Sequence, residues 1–161
     1  MRPWWLALAV VATPVVAQDV GSGDIYGTAL SNGWENRSTA TVELSTEIQG
    51  SQRKPIWVEA GPYQALSLYH APFDTTPYKS VAMLIQGMDG GAQQLRIVAV
   101  VDGKPLEAQA YPVTLPASGW KKVELPLAKI GADKKRIDGL LVQNATDKAI
   151  APFVVTEIAL H

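Results

Sequence analysis

From residue 24 onward the chain runs in short stretches of alternating apolar and polar positions, each closed by Gly, Pro, Asn or Asp. In Gln94–Asp102, Leu95, Ile97, Ala99 and Val101 fall on one side of an extended chain, as a side-chain period of two requires. In Ile56–Ala60, Ile56, Val58 and Ala60 share one side, which leaves Trp57 and Glu59 on the other. The same reading gives strands over Asp24–Thr28, Thr39–Thr46, Gln64–His70 and Lys79–Gly87. It continues through Lys104–Tyr111, Trp120–Leu125, Ile137–Asn144 and Phe153–Leu160. Asp89-Gly90-Gly91 and Asp102-Gly103 supply turn chemistry, the latter suited to a tight hairpin. Only Leu127–Ile130, just before Gly131, suggests a helical turn. Short strands at this spacing, with no repeat or linker, predict one all-β domain, an antiparallel sandwich or barrel.

The first residues follow a different pattern. Residues 1–17, MRPWWLALAVVATPVVA, carry one positive charge at Arg2, an apolar run from Trp4 to Ala12, and a small-x-small end at Val15-x-Ala17. This predicts a signal peptide over residues 1–17 and a single domain over 18–161. The apolar run is well short of the ~20 residues a spanning helix needs, so no membrane span is expected after cleavage. Secretion follows as the expectation, extracellular or, in a Gram-negative source, periplasmic.

Composition narrows the chemistry. Fourteen basic residues against fifteen acidic ones give no footprint for nucleic acid. The absence of cysteine excludes disulfides, thiolate metal sites and a cysteine nucleophile. Two histidines, His70 and His161, exclude zinc sites built on several imidazoles. No serine elbow, metal-binding helix or phosphate loop accompanies His70, which reads as a structural residue. Asp74, Asp89, Asp102, Asp133 and Asp138 sit in turn-like contexts, where Asp serves local hydrogen bonding. Asn36-Arg37-Ser38 and Asn144-Ala145-Thr146 have the form of glycosylation sequons.

Several segments, taken in order, carry a resemblance. They are Asn32-Gly33-Trp34, Phe73-Asp74-Thr75-Thr76-Pro77-Tyr78, the run from Leu115 through Gly119-Trp120 to Leu125-Pro126-Leu127, Asp138–Asn144 and Phe153–Leu160. Together they resemble the carbohydrate-binding modules of the galactose-binding-like β-sandwich (jelly-roll) class, over nearly all of residues 18–161. The resemblance implies an antiparallel jelly-roll sandwich that binds a polysaccharide or cell-wall glycan without altering it.

Binding a sugar takes a flat aromatic face against the apolar side of a pyranose and polar side chains for its hydroxyls. Trp57, opposite Ile56 and Val58, and Tyr69, opposite Leu66 and Leu68, are the stacking candidates. Trp120 reads as core. Arg96, which alternates with Leu95 and Ile97, is a polar candidate, as are Gln86 and Gln143, which fall within or near the ends of strands. Leu84, on the same side as Gln86, stands where similar modules often offer an aromatic ring. The resemblance also implies a structural calcium near the first and last strands, which needs oxygen ligands. Glu157 matches the second of two acidic positions in the final strand, Thr156 replaces the first, and Asp24 and Glu43 are further candidates. Two other functions remain open: a cell-surface structural or protein-interaction domain, and a jelly-roll enzyme acting on polysaccharide.

Overall fold

The alternation becomes strands at nearly every expected place in the computed structural model, which describes residues 23–161. The signal-peptide reading and the domain boundary at residue 18 lie outside the described residues. The strands are β1 (Asp24–Tyr26), β2 (Glu35–Asn36), β3 (Thr41–Glu43), β4 (Ile56–Glu59), β5 (Ala65–Asp74) and β6 (Ser80–Gly87). They continue as β7 (Gln94–Val101), β8 (Lys104–Pro105), β9 (Tyr111–Thr114), β10 (Lys121–Pro126), β11 (Arg136–Asn144) and β12 (Phe153–Leu160). The first sheet runs β10-β6-β12-β4-β3, with β1 also on β12; the second runs β2-β5-β11-β7-β8, with β9 also on β7. Every pairing is antiparallel. The expected sandwich is the fold.

The inward residues of the two sheets form one core. Ile56, Val58, Met83, Ile85, Phe153 and Val155 come from the first sheet, and Leu66, Leu68, Leu95, Ile97, Leu140 and Val142 from the second. Two bulges keep this core continuous. In β12 the register slips between Thr156 and Ala159, and Glu157 takes a left-handed φ of 49°. The extra residue lets Val155 and Ile158, three apart, both point inward. A matching slip in β11 between Ile137 and Gly139 does the same for Ile137 and Leu140.

Three departures from the sequence reading have local causes. β2 escaped notice because its two residues are both exposed and so show no alternation. The expected strand Lys104–Tyr111 is broken by a 3-10 turn at Glu107–Gln109, which leaves a short β8 and a separate β9. β5 continues past His70 to Asp74 because β11 pairs with it as far as Arg136–Asp74. The turn at Leu127–Ile130 is present as 3-10, closed by Gly131 at φ 71°, a conformation glycine adopts without strain.

Tyr26 ties the outer segments to this core. Its hydroxyl donates to the Lys54 carbonyl at 2.7 Å and accepts the Ser45 N–H at 2.9 Å. Burial pushes its ionisation above the usual value of 10.0, against a smaller opposite effect of the Ser45 hydrogen bond. A phenol raised in the folded state favours folding below its unfolded value, and that support falls away as pH rises past it. Thermal melts should therefore show a fall in stability above about pH 10 that is reduced in Tyr26→Phe. An identical alkaline fall in both proteins would remove Tyr26 as its source.

Candidate functional site

The outer face of the second sheet is apolar at its centre. On β7, β11 and β5 the outward residues Val98, Val100, Leu141 and Ala65 are buried and pack as a small cluster separate from the main core. Gly139 lies between Tyr69 and Val100; a Cβ there would stand 3.3 Å from Val100 Cβ. Ser67 pairs with Leu141. The middle strands thus carry an apolar floor that the longer side chains around it cover.

Polar and aromatic groups border that floor. On one side Arg96 Nε donates to Gln143 Oε1 at 2.7 Å, and Gln143 Nε2 donates to the Tyr63 carbonyl at 2.6 Å. Glu107, from the 3-10 turn, lies 3.6 Å from the Arg96 guanidinium. Arg96 and Gln143 meet because β7 and β11 pair them directly. Their side chains are held before any ligand arrives, with Gln143 only 9% exposed. On the other side Tyr69 carries the Arg37 guanidinium 3.4 Å from its ring centroid. Arg37 is fixed in turn by Glu35 at 2.9 Å. The arrangement combines an apolar floor with forked donors and amide groups at its rim, which suits a ligand with one apolar face and many hydroxyls.

Five residues were singled out from the sequence, and the structure divides them. Tyr69, Arg96 and Gln143 lie on the second sheet, all on this outer face. Trp57 and Gln86 belong to the first sheet, on its outer face at the opposite side of the sandwich. The five therefore do not form one surface. Tyr69 is also not a bare ring, because Arg37 covers one of its faces. Trp120, read as core, is half-buried and has the Arg53 guanidinium 5.6 Å from its ring. Its place just before β10, on the outward side of the alternation, is the reason.

The acidic residues offered for calcium are divided, Asp24 and Glu157 lining one cavity and Glu43 lying apart from it. Among the described residues no three acidic or imidazole side chains gather as ligands. Asp24 pairs with Ala159 on β12, whereas Glu43 pairs with Trp57 at the far edge of the same sheet. The Glu157 carboxylate is engaged by Arg53 at 3.2 Å. Thr156 explains the difference locally: its hydroxyl donates to the Gly27 carbonyl at 2.9 Å. A carboxylate there would face that carbonyl acceptor to acceptor and need a cation between them; the hydroxyl joins the two directly.

His70 is fixed as a structural residue. Its ring nitrogens lie 2.8 Å from the Asn32 carbonyl and 2.6 Å from that of Ala71, and its ring packs against Trp34 and Phe73. Asn144, in the second sequon, is fully buried and makes four hydrogen bonds, so it is closed to a glycosylating enzyme. Asp74 caps its own turn, its carboxylate accepting from the Thr76 backbone and hydroxyl. These bonds hold its ionisation below the usual range.

Sequence reading missed Arg37, Glu107 and Tyr63 at this face. Arg37 follows the unrecognised β2, and Glu107 sits in the turn that was read as strand. Tyr63 had a usable signal, since it stands in a Gly61-Pro62-Tyr63 turn at the mouth of β5.

No family model matches the chain, and no curated protein does. Solved structures do share its fold. A family 11 carbohydrate-binding module from Clostridium thermocellum, in complex with a β-1,3-1,4-mixed-linked tetrasaccharide, superposes with TM-score 0.61 at 18% identity, over 86% of this chain and 94% of that one. The family 29 module CBM29_1 from Piromyces equi gives TM-score 0.56 at 17% identity, over 86% and 88%. A CBM29-2 mutant complexed with cellulohexaose gives 0.60 at 15%, over 86% and 89%. At these identities the likeness establishes the sandwich fold.

Proposed function

We propose that the protein is a secreted, non-catalytic carbohydrate-binding domain that holds a polysaccharide or cell-wall glycan on the outer face of the second sheet. The observation that carries this reading is the prearranged Arg96–Gln143 pair set across an apolar centre from the Tyr69 ring. The Tyr69 ring with the Arg37 guanidinium on it offers a flat face for a sugar, and Arg96 and Gln143 take its hydroxyls. Because the rim is already hydrogen-bonded, little side-chain freedom is lost on binding. Solved proteins of this fold that hold a tetrasaccharide and cellulohexaose support the ligand class. The small-x-small end at Val15-x-Ala17 supports export, to the extracellular space or the periplasm. A non-catalytic role fits a face on which the carboxylates bordering the floor are paired with cations, Glu107 with Arg96 and Glu35 with Arg37.

Affinity electrophoresis through gels holding soluble β-glucan, glucomannan, xylan or galactan tests the reading. Retardation is expected in at least one gel. At this face Arg96→Ala should bind that glycan about thirtyfold more weakly, read from the glycan-induced shifts of the Tyr69, Val98 and Gln143 amides, the effect of losing about 2 kcal/mol of hydrogen bonding to a charged group. Free migration of the wild-type protein in every gel would contradict the proposal.

A further inference from the structure

The outer face of the first sheet carries a second surface of different chemistry. Trp57 on β4 pairs with Val154 on β12, and Val154 pairs with Gln86 on β6. Trp120 stands one residue beyond the Lys121–Ile85 pair, so the same register sets it opposite Gln86. The row thus reads Trp57, Val154, Gln86, Trp120. Three inter-strand steps, about 14 Å, separate the backbone positions of the two tryptophans, a span wider than a single sugar ring. Val154 points outward yet is fully buried, so its flanking side chains close over it and make the row a continuous surface. The Gln86 side-chain amide stands between the two tryptophans in this row. Trp57 is held by its Nε1–H, which donates to Glu59 at 3.0 Å.

The surface extends along the strands. Arg53 reaches both Trp120 and the Glu157 carboxylate. Beyond it lies a cavity of about 700 Å³, with Leu84, Ala82 and Ala159 among its apolar lining and Lys122 and Glu157 among its polar groups. Arg53 is paired with Glu157 at 3.2 Å and Lys122 with Glu124 at 3.9 Å, while Glu59 and, by register, Glu43 set carboxylates beside Trp57. A surface of two indoles and an amide, with carboxylates beside one indole, favours a neutral, extended, hydroxyl-rich ligand over an anionic one.

We propose that this face is a second binding surface for a neutral polysaccharide, built on Trp57, Gln86 and Trp120, so that one domain joins two glycan segments. The inference rests on the glycan-binding reading above. The two surfaces look in opposite directions across a sandwich whose sheets pack about 10 Å apart, so one straight chain segment cannot occupy both.

The test uses β-glucan and glucomannan as probes and reads tryptophan fluorescence beside light scattering. Trp57 and Trp120 lie on this face, whereas the other described tryptophan, Trp34, is buried. Fluorescence should change on adding the glycan, and the change should persist in Arg96→Ala. It should weaken about tenfold in Trp57→Ala, as expected for loss of one aromatic stack. Trp57→Phe, which keeps a ring at the site, should recover most of it. Wild-type protein should raise light scattering by linking chains, and each single-face variant should not. If the wild type is retarded in gels while its fluorescence stays unchanged, the second surface is excluded and the first stands. If no gel retards the wild type, both proposals fall.

Discussion

Asn144→Ala is expected to lower unfolding free energy by about 3 kcal/mol, the sum of several buried hydrogen bonds at about 1 kcal/mol each. The side chain is fully buried, and all of its capacity is used across one loop junction. Its amide donates to the Gly61 carbonyl at 2.9 Å and the Lys148 carbonyl at 2.7 Å. Its oxygen accepts the Thr146 N–H at 2.9 Å and the Thr146 hydroxyl at 2.8 Å. Truncation removes the partners of the Gly61 carbonyl and the Thr146 N–H, while the Thr146 hydroxyl keeps the Lys148 carbonyl at 3.0 Å. The junction joins the loop before β5 to the end of β11, close to where Gln143 faces the candidate site. Denaturant unfolding should show the midpoint fall, and Thr146→Ala should show a smaller fall, since the amide keeps its two carbonyl partners. Equal stability of Asn144→Ala and wild type would mean that this network contributes nothing.

Gly91→Ala should be of similar size, again about 3 kcal/mol, for a different reason. Gly91 has φ 71°, where a side chain adds about 1–2 kcal/mol of strain. A Cβ there would also overlap the Pro116 carbonyl, and relieving such an overlap costs typically 1–3 kcal/mol. The approach is fixed on both sides: Gly91 N–H donates to Met88 and Ala92 N–H to Leu115. Gly90→Ala is the matching control. It shares a positive φ of 93° but a Cβ there meets nothing within 4 Å, so only the strain should remain. Equal losses in the two variants would show that the Pro116 approach is not what constrains Gly91.

The period-two alternation carried most of the fold, because each sheet has one face on the core and one outward. That periodicity placed Trp57 outward from Ile56 and Val58, and Tyr69 outward from Leu66 and Leu68, as the structure does. It could not say which sheet a strand joins. β4 and β6 meet through β12, and β5 and β7 meet through β11, so membership depends on partners far along the chain. Trp57 and Tyr69 therefore looked like neighbours and lie on opposite sides. The two bulges hid further information, since an added residue shifts the period at Glu157 and Asp138. Arg37 was out of reach for a third reason. Its contact with Tyr69 exists only because the two-residue β2 docks on β5, and two exposed residues leave no pattern to read.

The central claim is that a glycan sits on the outer face of the second sheet. Chemical-shift mapping on the 15N-labelled protein tests it most directly, with a cello-oligosaccharide and a manno-oligosaccharide as titrants. The account predicts that shifts in one of these titrations gather on Tyr69, Arg96, Val98, Leu141 and Gln143. Shifts that leave those five residues unmoved, in a titration that saturates elsewhere on the protein, would contradict it.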